Sequence, residues 1–299
     1  MKLKFKKPIW VLSVLFVALV LYCVNNPAFI DKIYSKLGLN NTVVDGKLNV
    51  FFIDTEQSDA TLLTDGKYSV LIDGGDVDKG DEVVAFIKSK GIKKLDLVIL
   101  SHAHADHMGG LPDVFSSFEI EKFMMPELPE DLVPTSKTFE RLIDAIETIN
   151  ITSEYAVKGD TFTLGDIGFE FFTPVEKFDD LNNSSAVVRV SYGNNSFLFC
   201  GDAETSVEKE ILNDKVFLSS SVLKVGHHGS NTSNSEDFLY AVSPMYAVIC
   251  VGEDNSYGHP SSKVIERLEK LGTKIYRTDQ NGTITFVCDG KEISVITEK

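Results

Sequence analysis

The sequence predicts a mixed α/β domain, a sandwich of two mixed sheets with helices on the outside. Three observations predict it. Strand-length apolar runs bounded by turn residues recur through residues 48–299. Segments with apolar residues at helical spacing lie between them. Histidine or aspartate follows several strand ends in both halves, and neither half holds a complete set of ligands. We therefore expect a site in the groove between the edges of the two sheets.

The first 47 residues differ in character from this domain. Four lysines and no acidic residue precede residues 9–24, an uncharged apolar segment that is slightly shorter than the roughly twenty residues that span a bilayer. A basic flank before an apolar segment indicates an export signal. No small-x-small cleavage site follows, so the sequence favours a cytoplasmic N-terminus at 1–8, a transmembrane anchor at 9–24, a spacer at 25–47 and an extracytoplasmic domain at 48–299. This places the protein in the cell membrane with a single pass; secretion after signal cleavage is the alternative.

The chain is acidic. Its 299 residues include 44 acidic and 29 basic side chains, for a formal net charge of −15. A field of this sign repels polyanions at long range. Strong nonspecific binding of nucleic acid is therefore not expected, and the sequence identifies no protein partner.

The first half of the domain predicts one strand, helix, strand cycle followed by a second. Apolar runs at 48–53, 60–64 and 68–72 predict a strand and a hairpin, and 82–90 has the spacing of a helix that ends at Gly91. Residues 95–100 form the next predicted strand. A further strand ends at Pro126, a proline-containing loop at 126–134 is placed to overhang the site, and 136–150 is amphipathic.

The second half repeats the pattern, with a ligand-type residue after several of the strands. Predicted strands lie at 155–157, 161–164, 169–172, 186–192, 196–200, 222–225, 246–251, 274–277, 283–287 and 292–296, and predicted helices at 204–212, 237–241 and 261–271.

The segment Ser101–Gly110 carries the strongest chemical signal. Four ligand-type side chains, His102, His104, Asp106 and His107, lie within six residues directly after a predicted strand and before a predicted helix. Alternate side chains of an extended segment share a face, so the first three can point together, and a turn after Asp106 brings His107 to join them. Imidazole nitrogen and carboxylate oxygen are ligands of divalent metals such as zinc. The segment therefore predicts a metal site.

The other three histidines of the chain also lie in glycine-bounded loops after predicted strands. His227 and His228 follow one strand, and His259 follows another. A chance cluster or a solvated loop is the alternative interpretation, but it leaves unexplained why no histidine lies elsewhere in the chain.

With these motifs the sequence resembles the metallo-β-lactamase superfamily and, within it, the extracytoplasmic hydrolase domain of the ComEC competence proteins. The resemblance covers nearly the whole domain in pieces that occur in the same order: residues 52–59, 73–75, the histidine cluster, 182–188, 200–202, 224–230 and 255–260. It implies the αβ/βα four-layer sandwich of that superfamily, one or two divalent metal ions, zinc or manganese, and hydrolysis of esters or phosphodiesters.

The sequence departs from the ComEC pattern in two ways. The usual Asp-Val-Gly-Gln-Gly-Asp motif is Asp54-Thr55-Glu56-Gln57-Ser58-Asp59 here, so two glycines are replaced and the fit of substrate near this loop is affected. The multi-span channel of ComEC proteins is absent from this sequence, and we do not expect a role in DNA import.

The resemblance also implies roles for the metal-binding residues. It assigns His102 and His104 to one metal, Asp106 and His107 to a neighbouring metal, and Asp202 to a bridging position; His227 is the best candidate for a further ligand. Two cations held close together lower the pKa of a shared water far below that of bulk water, toward about 7, which makes hydroxide available at neutral pH.

The remaining predicted catalytic residues surround these ligands. His228 and His259 either complete the second metal site or donate hydrogen bonds to the substrate, and Asn183 and Ser185 are candidates for further hydrogen bonds to a substrate oxygen. Asp106 counts among the catalytic residues as well as the ligands. Asp54, Asp59 and Asp73 are expected to orient ligand imidazoles, although Asp73 is equally compatible with a turn or capping role.

The predicted substrate is a phosphodiester, such as a nucleic-acid strand or a phosphorylated envelope component, or another small molecule. Hydrolysis of a β-lactam or another ester is the alternative enzyme function. A non-catalytic surface binding module that kept the fold is a third hypothesis, against which the complete set of ligand-type residues argues. No Gly-x-Ser-x-Gly motif supports a serine nucleophile.

Overall fold

The computed structural model describes residues 43–151, 153–176 and 178–299. The predicted transmembrane segment at 9–24 and most of the predicted spacer lie outside the described residues. Among the residues that are described, no helix has both the length and the hydropathy needed to cross a bilayer.

Two large sheets and one small sheet form the framework. The first large sheet has the strand order β17-β16-β1-β2-β3-β5-β7-β8, with antiparallel pairs around β1 and β2 and parallel pairs from β3 to β8. Its strands are β1 (Leu48–Phe52), β2 (Thr61–Thr64), β3 (Ser69–Ile72), β5 (Leu97–Ile99), β7 (Phe123–Met125), β8 (Ser153–Tyr155), β16 (Ile284–Cys288) and β17 (Ile293–Thr297). The small sheet pairs β4 (Lys94–Leu95) with β6 (Glu119–Ile120).

The second large sheet has the order β15-β14-β13-β12-β11-β10-β9. It is antiparallel from β9 to β12 and parallel from β12 to β15. Its strands are β9 (Thr161–Leu164), β10 (Ile167–Phe171), β11 (Val188–Tyr192), β12 (Asn195–Phe199), β13 (Val222–Lys224), β14 (Tyr246–Ile249) and β15 (Lys274–Arg277).

Helices cover the outer face of each large sheet. The helices are α1 (Gly80–Ser89), α2 (Ala105–Met108), α3 (Leu111–Ser117), α4 (Lys137–Ile149), α5 (Thr205–Asn213), α6 (Glu236–Val242), α7 (Ser262–Lys270) and α8 (Thr278–Asn281). Short 3-10 turns lie at Glu130–Leu132, Asn182–Ser184 and Gly226–Gly229. The sequence determines some of these ends locally: Ser136 caps α4 by accepting a hydrogen bond from the Phe139 N–H, and Asn150 ends it in the left-handed conformation.

The apolar core has three parts that correspond to the gaps between layers. The central part lies between the two sheets, where the rings of Phe52 and Phe199 stack with centroids 5.9 Å apart. The neighbouring Phe51 points to the other face of its sheet and contacts Phe86 of α1 edge to face. A third cluster packs α5, α6 and α7 on the second sheet. This alternation along β1 confirms the predicted sandwich of two mixed sheets with outer helices.

Strand direction positions the site. In the first sheet the parallel strands β3, β5, β7 and β8 end at one edge, and the segments that follow β3 and β5 carry Asp73 and the histidine cluster. In the second sheet β12, β13 and β14 are parallel, and the segments that follow them carry Asp202, His228 and His259. Because parallel strands deliver their carboxyl ends to the same edge, residues distant in sequence meet there.

Candidate metal centre

The histidine cluster lies on a strand end followed by a helical turn. His102 follows β5, His104 is the residue before α2 and has an extended backbone, and Asp106 and His107 lie in α2 itself. The sequence analysis placed Asp106 on an extended segment that turns after it. The structure corrects this, since the helical turn begins at Ala105 and presents Asp106 and His107 from neighbouring positions on one short helix.

A first group of ligand atoms comprises His102, His104 and Asp202. The His102 Nε2 and His104 Nδ1 atoms lie 2.9 Å apart, and His102 Nε2 lies 3.8 Å from Asp202 Oδ2. Two nitrogen ligands of a tetrahedral zinc ion are expected to lie about 3.3 Å apart, from Zn–N bonds of about 2.0 Å. The spacing of the two imidazoles is therefore close to that of ligands to one shared cation.

A second group comprises Asp106, His107, Asp202 and His228, with one ligand atom of each within 4.8 Å of the others. His107 Nε2 lies 3.3 Å from Asp202 Oδ1, and His228 Nε2 lies 3.2 Å from Asp106 Oδ2. Asp202 belongs to both groups, so its two carboxylate oxygens face both candidate positions. This geometry is compatible with the bridging role that the resemblance implies for Asp202, which stays a prediction.

Asp73 orients the imidazole of His107. The His107 Nδ1–H donates to Asp73 Oδ2 at 2.9 Å, while the Ser101 N–H and Oγ–H donate to the same carboxylate at 2.7 and 2.8 Å. This leaves His107 Nε2 directed toward Asp202 Oδ1, 3.3 Å away. Such carboxylate–imidazole pairs fix the tautomer of a ligand histidine, and Asp73 therefore has the orienting role expected for it.

His228 is held by an unusual backbone conformation. His227 and His228 both have left-handed φ values of 51°, in a turn bounded by Gly226 and Gly229. Such values cost energy for residues other than glycine and persist where the surroundings enforce them. Asn234 supports the turn, because its side chain accepts a hydrogen bond from the Gly226 N–H and donates to the Gly226 carbonyl.

The carbonyl of Cys250 fixes the tautomer of His228. His228 Nδ1–H donates to this carbonyl at 2.8 Å, and Nε2 lies 3.2 Å from Asp106 Oδ2. The structure thus places His228 in the ligand group, where the sequence analysis favoured His227. His227 lies nearer the surface, with its Nε2 3.7 Å from Asp202 Oδ2 and its Nδ1 3.6 Å from Glu204 Oε1.

His259 lies at the rim of the pocket and contacts other rings. Its imidazole is edge to face with that of His227 at 5.7 Å between centroids and stacks on the ring of Tyr257 at 5.9 Å. Burial lowers the pKa of His259, and the neighbouring histidines act in the same direction. His259 is therefore neutral at pH 7 and retains one ring N–H that can donate.

Asn183 and Ser185 lie behind the wall of the pocket. The Asn183 side chain accepts from the Glu204 N–H and the Ser206 hydroxyl and donates to Asp180, while Ser185 Oγ accepts from the Asp202 N–H at 3.1 Å. Both residues are buried. The structure gives them roles in positioning the Asp202 loop instead of the predicted contact with substrate.

Asp54 and Asp59 have different environments. Asp59 is buried, forms a 2.6 Å ion pair with the buried Lys224, and has its Oδ1 3.5 Å from His228 Nδ1. It therefore lies next to a ligand imidazole, as expected. In the described part of the chain Asp54 instead accepts from the Lys299 ammonium at 3.4 Å, away from the imidazoles.

The buried groups perturb one another strongly. Burial lowers the pKa of His102 well below its ordinary value and also lowers that of His104. Burial opposes the charge on His107 too, but nearby carboxylates, Asp202 first among them, raise the pKa of His107 well above its ordinary value. For Asp202 burial acts against ionisation, yet His107 and His228 hold its pKa well below the usual range.

The donor set fits a divalent cation. Four carboxylates, those of Asp59, Asp73, Asp106 and Asp202, converge on this region, whereas Lys224 is the lysine paired with them. Among the described residues the buried His107 Nε2 and Asp202 Oδ1 atoms have no hydrogen-bond partner, although they lie 3.3 Å apart. Unpartnered buried polar atoms are costly. A cation bound at this point would satisfy both atoms and balance the excess of negative charge.

A solvent-accessible cavity of about 300 Å³ leads to these ligands. Its walls include His104, Asp106, Asp202, His227, His228 and His259 together with Gln57, Asn182 and Tyr257. The sequence analysis did not single out Asn182 or Tyr257. Both residues lie in segments that carry the family resemblance, 182–188 and 255–260. Nothing in the sequence, however, shows which side chains of those segments face the pocket.

The two replaced glycines differ in their consequences. Glu56 has a left-handed φ of 58°, the conformation that glycine adopts without strain, and its carboxylate pairs with Lys79 Nζ at 2.9 Å. Ser58 is buried, and its hydroxyl donates to the Thr55 carbonyl at 2.7 Å. The loop thus keeps a backbone conformation suited to glycine at the first of these positions, at the cost of strain.

Comparison with known proteins agrees with this geometry. The sequence model described as the metallo-beta-lactamase superfamily matches residues 53–253. ComE operon protein 3 of Bacillus subtilis is 35% identical over 210 residues, which cover 69% of this chain and 26% of that protein. Competence protein ComA of Neisseria gonorrhoeae is 32% identical over 236 residues, which cover 78% of this chain and 31% of that protein. The chain thus spans about a quarter to a third of the length of these relatives.

A solved structure supports the fold alone. CmlA, a diiron beta-hydroxylase from Streptomyces venezuelae, superposes with a TM-score of 0.55 at 12% identity, covering 78% of this chain and 53% of that one. Identity this low carries no information about activity. Three observations agree with one another. The family model matches two thirds of the sequence, the architecture has four layers, and the two candidate ligand groups share Asp202. The chain therefore belongs to the metallo-β-lactamase superfamily, as a relative of the ComEC-type competence proteins.

Proposed function

We propose that this protein is a metal-dependent hydrolase that cleaves a phosphodiester outside the cytoplasm, anchored to the membrane by residues 9–24. The observation that carries the proposal is the pair of ligand groups that share Asp202 at the base of a solvent-accessible pocket. The name of the relative from Neisseria gonorrhoeae supports the substrate class, because it refers to competence, a process that involves a phosphodiester polymer.

The ligands divide between two ions. His102 and His104 would hold one divalent ion and Asp106, His107 and His228 the other, with Asp202 between them; zinc or manganese suits a mixed imidazole and carboxylate set. Metal ions in such a site supply Lewis acidity, lower the pKa of water and neutralise charge on an oxygen of the substrate. The first group, His102, His104 and Asp202, is also compatible with a site that holds a single ion.

The other residues of the chain orient and bind. Asp73 and the Cys250 carbonyl orient His107 and His228, so that their Nε2 atoms are the ones that would hold an ion. At the rim the neutral His259 is positioned to donate its ring N–H to a substrate oxygen, which stabilises negative charge that develops there. Because carboxylates surround the pocket, an anionic ester is expected to bind only when cations occupy the ligand groups.

Turnover of bis(p-nitrophenyl) phosphate tests the proposal. The purified full-length chain, loaded with zinc or manganese, should release p-nitrophenol, and a chelator should abolish the activity. Asp202→Asn should lower kcat/KM at least about 100-fold, while Asp289→Asn, at an exposed position remote from the pocket, should not change it. A metal-loaded and folded protein that hydrolyses nitrocefin but not the phosphodiester would favour the β-lactam function. Inactivity on both substrates would favour the binding-module hypothesis.

Protease treatment of intact cells tests the location. Externally added protease should degrade the domain at 48–299 if it lies outside the cytoplasm. Protection of the domain in intact cells, with degradation after lysis, would contradict the proposed orientation.

A further inference from the structure

A second cavity, of about 420 Å³, lies beside the metal pocket. It lies between the loop that follows β7 and the segments that follow β8 and β10. Its walls comprise Pro126, Glu127, Leu128, Pro129, Glu130, Leu132, residues 155–158, residues 173–176, Phe178 and Ser184. A volume of this size accommodates a small organic group.

Strand order makes this cavity an extension of the metal pocket. In the first sheet β5, β7 and β8 are parallel neighbours, so the loops after β7 and β8 leave the same edge as the histidine cluster after β5. In the second sheet Phe171 pairs with Val188, and Val188 pairs with Phe199, so the segments after β10 and β12 also leave one edge. At about 4.8 Å per strand, the centres of the two cavities are expected to be roughly 10 Å apart.

The 3-10 turn Asn182–Ser184 contributes a residue to the lining of each cavity. Asn182 lines the metal pocket, and Ser184, two residues later, lines the second cavity. The turn is held from behind by Asn183, whose side chain is hydrogen-bonded to the α5 end of the Asp202 loop. One molecule can therefore contact both cavities by passing over a single short turn.

The walls of the second cavity are apolar and accessible to solvent. Tyr155, Val157 and Val175 are 54%, 49% and 66% exposed, values that are high for large apolar side chains. Clusters of exposed apolar side chains on a soluble domain commonly mark binding sites. Leu128 and Phe178 extend the apolar lining.

The charged groups of this cavity disfavour an anion. Among the described residues that line it are Glu127, Glu130 and Glu176, and the described lysine of the lining, Lys158, is already paired with Glu210 at 3.1 Å and with a second carboxylate. These described charges disfavour an anionic group. The apolar side chains of the walls favour an uncharged group, because apolar surface gains most by covering apolar surface.

One buried polar atom in the wall of the cavity lacks a partner. Thr173 is 95% buried, lines the cavity, and its Oγ1 has no hydrogen-bond partner among the described residues. A buried hydroxyl without a partner is unfavourable. A ligand that offers one donor or acceptor at this point would satisfy it.

We propose that the second cavity binds a neutral, largely apolar arm of the substrate, with one polar atom bonded to Thr173, while the metal pocket holds the ester that is cleaved. This rests on the proposed hydrolase function and deepens it. The enzyme would then prefer a phosphodiester in which one ester group is a neutral apolar chain or ring and the link between ester and arm spans roughly 10 Å.

Binding to the metal-free full-length protein tests the cavity without any reaction. The neutral dye N-phenyl-1-naphthylamine, which has one N–H, should bind saturably, and its sulfonated analogue 1-anilinonaphthalene-8-sulfonate should bind at least about fivefold more weakly. Thr173→Val should weaken binding of the neutral dye about fivefold, the effect of one lost hydrogen bond. Val157→Trp should abolish it by filling the cavity.

Val216→Trp is the matched control, since Val216 is also exposed but does not line the cavity. It should bind the neutral dye as the unmodified protein does, and circular dichroism should show that all three variants are folded. Absence of saturable binding, equal binding of the two dyes, or unchanged binding in folded Val157→Trp would each overturn the proposal.

Kinetics with paired esters test the arm in catalysis. The metal-loaded protein should cleave hexyl p-nitrophenyl phosphate with a kcat/KM at least about tenfold above that of the methyl ester, and Val157→Trp should remove this preference without changing turnover of the methyl ester. A phenyl ester distinguishes a ring from a chain as the preferred arm. If none of the esters is hydrolysed, the hydrolase function is rejected, and the dye titration decides whether the cavity binds a neutral group. If the hexyl and methyl esters are hydrolysed equally well, the proposed binding of a substrate arm is rejected.

Discussion

Replacing Asp73 with Asn should weaken metal binding although Asp73 is not itself expected to be the main ligand. In the native arrangement both carboxylate oxygens accept: Oδ1 from the Ser101 N–H at 2.7 Å, and Oδ2 from Ser101 Oγ at 2.8 Å and His107 Nδ1 at 2.9 Å. An amide has only one oxygen. If that oxygen accepts from Ser101, the amide NH₂ faces His107 Nδ1 and favours the tautomer with its proton on Nε2, the atom directed at Asp202.

The opposite orientation of the amide is also costly. It restores acceptance from His107 Nδ1 but turns the NH₂ toward the Ser101 N–H, so two donors face each other inside the protein. Either way one buried hydrogen bond is lost or the ligand nitrogen is protonated. Loss of such an orienting partner typically lowers metal affinity about 10- to 100-fold, which corresponds to about 1.4–2.7 kcal/mol. The left-handed φ of 59° at this position is tolerated by Asn, so the backbone should be preserved.

Competition with a chelator of known affinity measures the effect. The full-length Asp73→Asn protein should release zinc or manganese at a chelator concentration at least about tenfold lower than the unmodified protein requires. Asp96→Asn is the matched control. Asp96 also accepts a hydrogen bond from a backbone N–H, that of Ser69 at 2.8 Å, but Ser69 begins β3, whereas Asp73 follows its end. Equal metal affinity of Asp73→Asn and unmodified protein, both folded, would refute the orienting role of Asp73.

Three further predictions concern the neighbouring residues. His228→Ala should reduce metal stoichiometry or affinity more than His227→Ala, because only His228 belongs to a candidate ligand group. Equilibrium dialysis with inductively coupled plasma analysis measures stoichiometry and affinity. A larger loss in His227→Ala would support the assignment made from the sequence. Glu56→Gly should be about 1 kcal/mol more stable than Glu56→Ala, since both lose the ion pair and only alanine keeps the left-handed strain; urea denaturation measures the difference, and a more stable alanine variant would contradict the argument. Lys224→Met should destabilise the fold by about 3–5 kcal/mol because it leaves Asp59 buried without its cation, and adding Asp59→Asn should recover part of this loss; a double variant no more stable than the single one would show that the pair does not account for the effect.

Sequence reasoning was most successful where the signal is local. The strand at 161–164 and the strand at 274–277 are observed with the predicted bounds, and the helix predicted at 136–150 is observed at Lys137–Ile149. Apolar periodicity and capping residues are properties of neighbouring positions, so they can be recognised without tertiary structure. The two-residue strands β4 and β6 and the short helix α8 were not predicted, because segments of this length have no period to detect.

Sequence reasoning was weakest in choosing between adjacent residues of the site. His227 and His228 are identical in type and adjacent, and the sequence analysis favoured the former as a ligand. Two left-handed residues in succession direct the His228 ring inward to the Cys250 carbonyl, while His227 remains nearer the surface. A similar choice arose between Asn182 and Asn183, where the 3-10 turn directs Asn182 into the pocket and Asn183 away from it.

The sequence by itself determined the layered α/β class and the local grouping of His102, His104, Asp106 and His107, because residue type and spacing after a strand are written in the order of residues; the shared role of Asp202 was implied by the family resemblance and stays a prediction. Only the tertiary structure showed which of two adjacent histidines belongs to a candidate ligand group and that a second cavity has its own set of lining residues. The physical reason is that these features depend on how segments distant in sequence come together, as when His228 contacts Asp106, 122 residues away, or when the loop after β7 and Thr173 line one cavity. Sequence periodicity describes each segment separately, and the direction in which a side chain points is set by whatever the rest of the fold packs against it.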